Sequence, residues 1–262
     1  MRRRLKVVAP DTRRQEKILQ IRSLRKVFRT GAFDLTVLEG IDFSVQKGEL
    51  ICILGRSGCG KSTLLKILAG FIPPTAGRVL LGEEPVARPG PERCVVFQED
   101  ALFPWLTVEE NIAFGMRQHR WPRKEISDEI DRFLSLVGLS EFRHYLPREI
   151  SGGMKQRVAL ARVLILQPRV LLMDEPFAAL DAQTREEMQQ LMLSLWAKLS
   201  HTILFVTHDV TEAVTLADRI LLMGKDPGRI REDIKVELPR PRKRDTEAFL
   251  FFCRRLFEGL RS

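Results

Sequence analysis

A chain of 262 residues, 44% hydrophobic and 29% charged, has the make-up of an ordinary globular protein with room for one substantial core and a smaller lobe. Its 43 basic residues outnumber 34 acidic ones, and the net charge of +9 suits nucleic acid, an anionic membrane surface or anionic ligands such as nucleotides. No stretch approaches the ~18 uninterrupted apolar residues that a membrane span needs, and the basic N-terminus lacks the apolar run of a signal peptide.

Much of the positive excess is terminal: Arg2, Arg3, Arg4, Lys6, Arg13 and Arg14 at one end, Arg240, Arg242, Lys243 and Arg244 near the other. These read as solvated tails, with contact to anionic headgroups as the alternative. The four cysteines form no CxxC pair and no metal-like cluster with the histidines, as expected of reduced thiols in a cytosolic protein.

Residues 1–16 read as a basic, flexible extension. Strands are expected over 18–28 and 35–45, where Ile41, Phe43 and Val45 alternate with Asp42, Ser44 and Gln46 as in a half-buried antiparallel ribbon. The continuous apolar run ELICILG suits a central parallel strand. A helix from Lys61 to Ala69 follows, closed by Gly70.

Between about 100 and 150 the pattern turns helical. Thr107 and Glu110 have capping-box spacing, and Ile126, Ile130, Phe133, Leu134 and Val137 recur at helical intervals up to Gly138. This segment reads as a small lobe inserted into an α/β core. Helix and strand then alternate to Met223, which predicts a mainly parallel sheet covered on both faces.

The strongest chemical signal is GRSGCGKST: Gly55, Arg56, Ser57, Gly58, Cys59, Gly60, Lys61, Ser62 and Thr63. It fits G-x-x-x-x-G-K-[ST] in the required place, after a strand and opening a helix. The glycines let successive N–H groups converge on a phosphate. Lys61 supplies charge to the β- and γ-phosphates, Ser62 a hydroxyl for Mg²⁺, and Thr63 a hydroxyl near the α-phosphate. At a helix N-terminus beside Lys61, the Cys59 thiolate is expected to be favoured. VLLMDEP, Val170 to Pro176, places two carboxylates at the C-terminal end of a buried strand, where open α/β sheets bind ligands. Asp174 is placed for Mg²⁺ and Glu175 for polarising the attacking water.

With ISGGMKQR at 150–157, Ser151 lying 23 residues before Asp174, the chain resembles the ATP-binding cassette family over about residues 17–235. Ile150 and Met154 depart from that family's LSGGQ signature. The resemblance implies a P-loop NTPase core with an N-terminal antiparallel β subdomain, an inserted α-helical subdomain at about 100–155, and a basic, helical tail over 236–262. It further implies that Ser151, Gly152 and Gly153 cap the γ-phosphate bound by a second copy. By the same resemblance Gln98 reaches Mg²⁺ and the water, Asp181 belongs to the D-loop or caps a helix, and His208 contacts the γ-phosphate. Phe28 stacks on adenine or belongs to the core.

Two further segments, ALFPWLTVEENIAFG from Ala101 and DPGRI from Asp226, resemble the ATPases of nitrate, sulfonate, taurine and bicarbonate importers. Leu102, Phe103, Trp105 and Leu106 then line either the lobe's core or a groove for a membrane subunit. The implied protein is a homodimeric MgATP hydrolase at the cytoplasmic face of the inner membrane, serving a separate permease and, indirectly, a solute-binding protein. A soluble cassette acting on nucleic acid or ribosomes fits less well. There is one cassette, no long coiled-coil insertion and no aromatic-interleaved basic patch, so nucleic acid is not expected. A kinase would not need the SGG turn, and no guanine-reading N/T-K-x-D motif stands in a suitable place. Neither the solute nor, beyond the resemblance, the direction of transport is legible.

Overall fold

The computed structural model describes residues 16–31, 33–97 and 101–261, so the readings on the N-terminal extension and on Gln98 fall outside the described residues. In chain order the first half comprises β1 (Lys17–Thr30), β2 (Phe33–Gln46), β3 (Leu50–Gly55), α1 (Lys61–Ala69), β4 (Ala76–Leu81), β5 (Glu84–Pro85) and β6 (Arg93–Val96). Next come the helices α2 (Val108–Gln118), α3 (Arg123–Leu136) and α4 (Gly152–Leu164). The remainder comprises β7 (Val170–Asp174), α5 (Ala182–Leu199), β8 (Thr202–Thr207), α6 (Val210–Leu216), β9 (Arg219–Gly224), β10 (Arg229–Lys235) and α7 (Glu247–Arg261).

Two sheets result. The core sheet runs β10-β9-β3-β8-β7-β6, parallel throughout except for the antiparallel edge strand β10. Every residue of β3 and β8 is buried, as strands covered on both faces require. The second sheet, β2-β1-β4-β5, is antiparallel, and the alternation of β2 puts Ile41, Phe43 and Val45 inward.

α2 begins with the expected capping box: Thr107 Oγ1 accepts from the Glu110 N–H, and the Glu110 carboxylate accepts from the Thr107 N–H. Ile130, Phe133, Leu134 and Val137 are buried against a cluster that also holds Val108, Ile112 and Met116 of α2.

The reading of Arg240 and Arg242 as solvated tail charges is overturned, and Arg244, though exposed, is anchored by a bond to Gln189. Arg240 pairs with Asp218 and bonds the Leu216 carbonyl; Arg242 donates to the carbonyls of Val214 and Ala217, each at 2.6 Å. Guanidinium donors thus satisfy carbonyls that α6 leaves unpaired at its C-terminus. Burial, reinforced by the neighbouring charge of Arg240, pulls Arg242 down to about 10. α7 then lays Phe249, Cys253 and Leu256 into the core.

The DPGRI turn also has a packing role. Gly228 forms an isolated bridge with Leu38 of β2, its N–H donating to the Val37 carbonyl at 2.9 Å. A Cβ there would lie 2.2 Å from the Cys59 carbonyl oxygen, so the turn closes against the back of the glycine-rich loop only because it has no side chain.

Candidate functional site

The site forms where β3, β7 and β8 end. From Gly55 the chain enters the glycine-rich loop, whose residues 56–58 are exposed, and α1 begins at Lys61. Gly60 takes φ +97°, and a Cβ there would meet Leu38 Cδ2 at 2.7 Å. Both constraints demand glycine at the point where the loop turns into the helix. The open backbone N–H groups of α1 face the same side.

Lys61 is 5% exposed, and its ammonium lies 2.8 Å from the Gly55 carbonyl oxygen, 3.2 Å from that of Arg56 and 3.6 Å from Glu175 Oε1. A buried lysine in this setting is held by its own loop and aimed at the centre of it. Ser62 Oγ donates to Asp174 Oδ1 at 3.1 Å. Burial pushes the Asp174 carboxyl up, and the Ser62 hydrogen bond opposes that rise.

Glu175 has φ +46°, a left-handed conformation that costs a non-glycine residue about 1 kcal/mol. Its N–H donates to the Val206 carbonyl at 3.0 Å and its carbonyl accepts from Ala178, which fixes the turn. So aimed, Oε2 lies 2.7 Å from Nδ1 of His208, which follows β8. Lys61, Ser62, Asp174, Glu175 and His208 therefore form one connected constellation.

Cys59 departs from expectation. Its thiol is 1% exposed, wedged behind the loop where a Cβ on Gly55 would meet Sγ at 2.7 Å. Burial raises its pKa, and Lys61 only partly offsets this. The helix N-terminus and the lysine do act on it, but desolvation wins.

Ser151 caps α4, its Oγ accepting from the Met154 N–H at 3.3 Å. Gly153 packs against Thr184, in the first turn of α5, where a Cβ would come within 2.7 Å of Thr184 Cγ2. Asp181 caps α5 through Thr184 N–H at 3.0 Å, which holds its carboxyl below the usual range. Among the described residues no hydrogen bond or ion pair joins Ser151, Gly152 or Gly153 to the glycine-rich loop of the same chain. Phe28 is 38% exposed on β1, with the Lys26 ammonium 4.9 Å from its ring centroid, so it is a surface aromatic and not a core residue.

Beyond the site, Trp105 is 72% exposed and its ring tilts against Phe103. Sequence reasoning passed over Asn111, which is fully buried and anchors this loop. Its amide donates to the carbonyls of Phe103, Leu106 and Thr107, and its Oδ1 accepts from the Phe103 N–H. A buried amide so fully satisfied fixes a rigid loop, and an asparagine on the inward face of α2 was the available signal.

The ABC transporter family model matches residues 38–178. A nitrate import ATP-binding protein of Synechococcus elongatus is 46% identical over 224 residues, 84% of this chain and 81% of that one. An aliphatic sulfonates import ATP-binding protein of Bacillus cereus is 43% identical over 231 residues, covering 88% and 91%. Among solved structures, a dimeric ATP-binding cassette in a post-hydrolysis state, bound to ADP and Pi, superposes with a TM-score of 0.72 at 28% identity. It covers 84% of this chain and all of that one. Phosphate loop, acidic strand end and histidine turn thus sit in the frame of a nucleotide hydrolase, and the chain belongs to the ABC transporter family as one of its ATPases.

Proposed function

We propose that two copies of the chain close head to tail on two MgATP molecules and power the import of a small solute, in the nitrate, sulfonate and taurine class, through a separate membrane subunit. The observation that carries the shared site is the position of Ser151, Gly152 and Gly153, which open α4 yet make no bond to their own phosphate loop. A single loop leaves one side of a γ-phosphate open to water, and a second helix N-terminus from the partner copy closes it.

Within each site the loop N–H groups and Lys61 hold the phosphates, and Phe28 supplies a stacking face for adenine. Ser62 and Asp174, a hard oxygen pair 3.1 Å apart, suit Mg²⁺, with Gln98 as a further ligand. An Mg²⁺ held by these residues would supply charge neutralisation at the phosphates. Glu175 orients the attacking water, while His208, held by Glu175, contacts the γ-phosphate. Asp181 faces the partner copy from the D-loop.

Among the described residues no helix is long and apolar enough to cross a membrane. The membrane partner accordingly docks from outside, on Leu102, Phe103, Trp105 and Leu106, with the ATPase at the cytoplasmic face and a solute-binding protein upstream. The relatives named for nitrate and sulfonate import support this direction and solute class.

Mixed dimers test the shared site. Lys61→Ala and Ser151→Arg chains, each inactive alone, put both lesions in one site when paired and leave the other intact. ATP-dependent closure, read by a distance probe between protomers, should return in the mixture. Absence of closure in demonstrated heterodimers sinks the shared site.

A further inference from the structure

A second set of buried polar groups lies behind His208, outside the catalytic constellation. Glu212, in the first turn of α6, is 6% exposed, and Gln189 of α5 is 2% exposed. The Gln189 amide nitrogen donates to Glu212 Oε1 at 3.0 Å, while its oxygen accepts from the Arg244 guanidinium at 2.6 Å. The amide is thus polarised between a cation and a carboxylate, an arrangement in which each bond strengthens the other. On the far side Glu212 accepts from the Thr207 hydroxyl, whose oxygen accepts from the Asp209 N–H at 3.0 Å. Asp209 in turn caps α6 through the Glu212 N–H at 3.1 Å.

The two neighbours of His208 in the chain are therefore both tied to Glu212, Thr207 through the buried carboxylate and Asp209 through the backbone N–H. Arg185 approaches Glu212 as well, and its guanidinium holds the carbonyls of Phe177 and Leu180 on the turn after Glu175. The line ends at Arg244, on the segment between β10 and α7, whose neighbours Arg240 and Arg242 hold the opposite end of α6. A plain staple between α5 and α6 would need only Gln189 and Glu212. The continuation to Thr207 on one side and Arg244 on the other does more.

We infer that Glu212 is a positioning residue for His208, and that Arg244 of the C-terminal segment sets it through the Gln189 amide. This rests on the reading of His208 as a γ-phosphate contact and adds a route by which the C-terminal segment governs hydrolysis. Displacing Arg244 frees the Gln189 amide to rotate, loosens Glu212 and lets the turn carrying His208 drift.

The test uses the full chain with Arg244→Ala, Arg244→Lys, Glu212→Gln and the double variant. Arg244 is exposed, so its replacement removes one bond to the Gln189 amide and little packing, and Tm read alongside tests that the fold is kept. Phosphate release against MgATP concentration should show kcat down about fivefold in Arg244→Ala with KM and Tm unchanged, and partial recovery in Arg244→Lys. The ring resonance of His208, assigned by its loss in His208→Ala, should move in Arg244→Ala. In the Glu212→Gln background, Arg244→Ala should add less than about twofold. An unmoved resonance with unchanged kcat overturns the inference, as does a loss of kcat undiminished in the Glu212→Gln background. Full turnover in His208→Ala instead overturns the role of His208, and the resonance still reports on the linkage.

Discussion

Oε2 of Glu175 lies 2.7 Å from Nδ1 of His208, joining the ends of β7 and β8 across the mouth of the nucleotide site. The other oxygen, Oε1, faces the Lys61 ammonium at 3.6 Å, so one carboxylate links the histidine turn to the phosphate loop.

Glu175→Gln should therefore keep ATP binding and lose turnover by at least about 100-fold, the usual contribution of a positioned base. With hydrolysis blocked, the closed dimer accumulates. Gel filtration in MgATP, alongside phosphate release, checks both; a monomer with normal turnover sinks the assignment.

Asp174 carries a cost that pH exposes. Its folded pKa is raised above 3.8 by burial, so the native state binds the proton more tightly than the unfolded chain. The stability from this group is present below pH 3.8 and is lost as pH rises through the folded value. Asp174→Asn, uncharged throughout, should melt higher than the parent at pH 7.5 while hydrolysing no ATP. That advantage should narrow as the pH is lowered towards 3.8. Thermal melts across the range measure it, and a lower Tm at pH 7.5 contradicts the account.

Cys59 should alkylate slowly. Its raised pKa leaves less thiolate at neutral pH than a free cysteine has, and its burial blocks approach. N-ethylmaleimide at pH 7.5 should label it far faster in urea than in the native chain, as read by peptide mass spectrometry. Equal rates would mean that the loop opens freely.

Trp105 gives a sharper test of the membrane-subunit surface than the half-buried Leu106, because it has little fold to lose. Trp105→Ala should weaken capture of the co-expressed membrane partner by roughly 30-fold, as for an interface anchor, with ATP affinity and Tm unchanged. Undiminished capture removes Trp105 from the interface.

The sheet, the phosphate loop and the acidic strand end were legible because each is a local pattern: a run of apolar residues, a glycine spacing, a carboxylate pair after a strand. The place of His208 at the phosphates rested only on resemblance to the family, and the contacts of Ser62 with Asp174 and of Glu175 with His208 came into view with the fold. What stayed hidden depended on three-dimensional accounting. The Cys59 thiol sits next to positive charge in sequence, yet Met223 and Gly55 enclose it and desolvation decides its pKa. Arg240, Arg242 and Arg244 look like tail charges until the open carbonyls of α6 and the Gln189 amide are found beside them.

The helices α2, α3 and α4 lie between Val96, the last residue of β6, and Val170, the first of β7, two adjacent parallel strands with Arg93 opposite Val170. The chain thus leaves one end of this strand pair and rejoins it at the other. Between those points α4, the helix that Ser151 opens, packs on β6 and α5, and its apolar residues share one core with those of β3. Lys61 follows β3, three strands inward, so one continuous packed layer spans the distance from phosphate loop to signature turn.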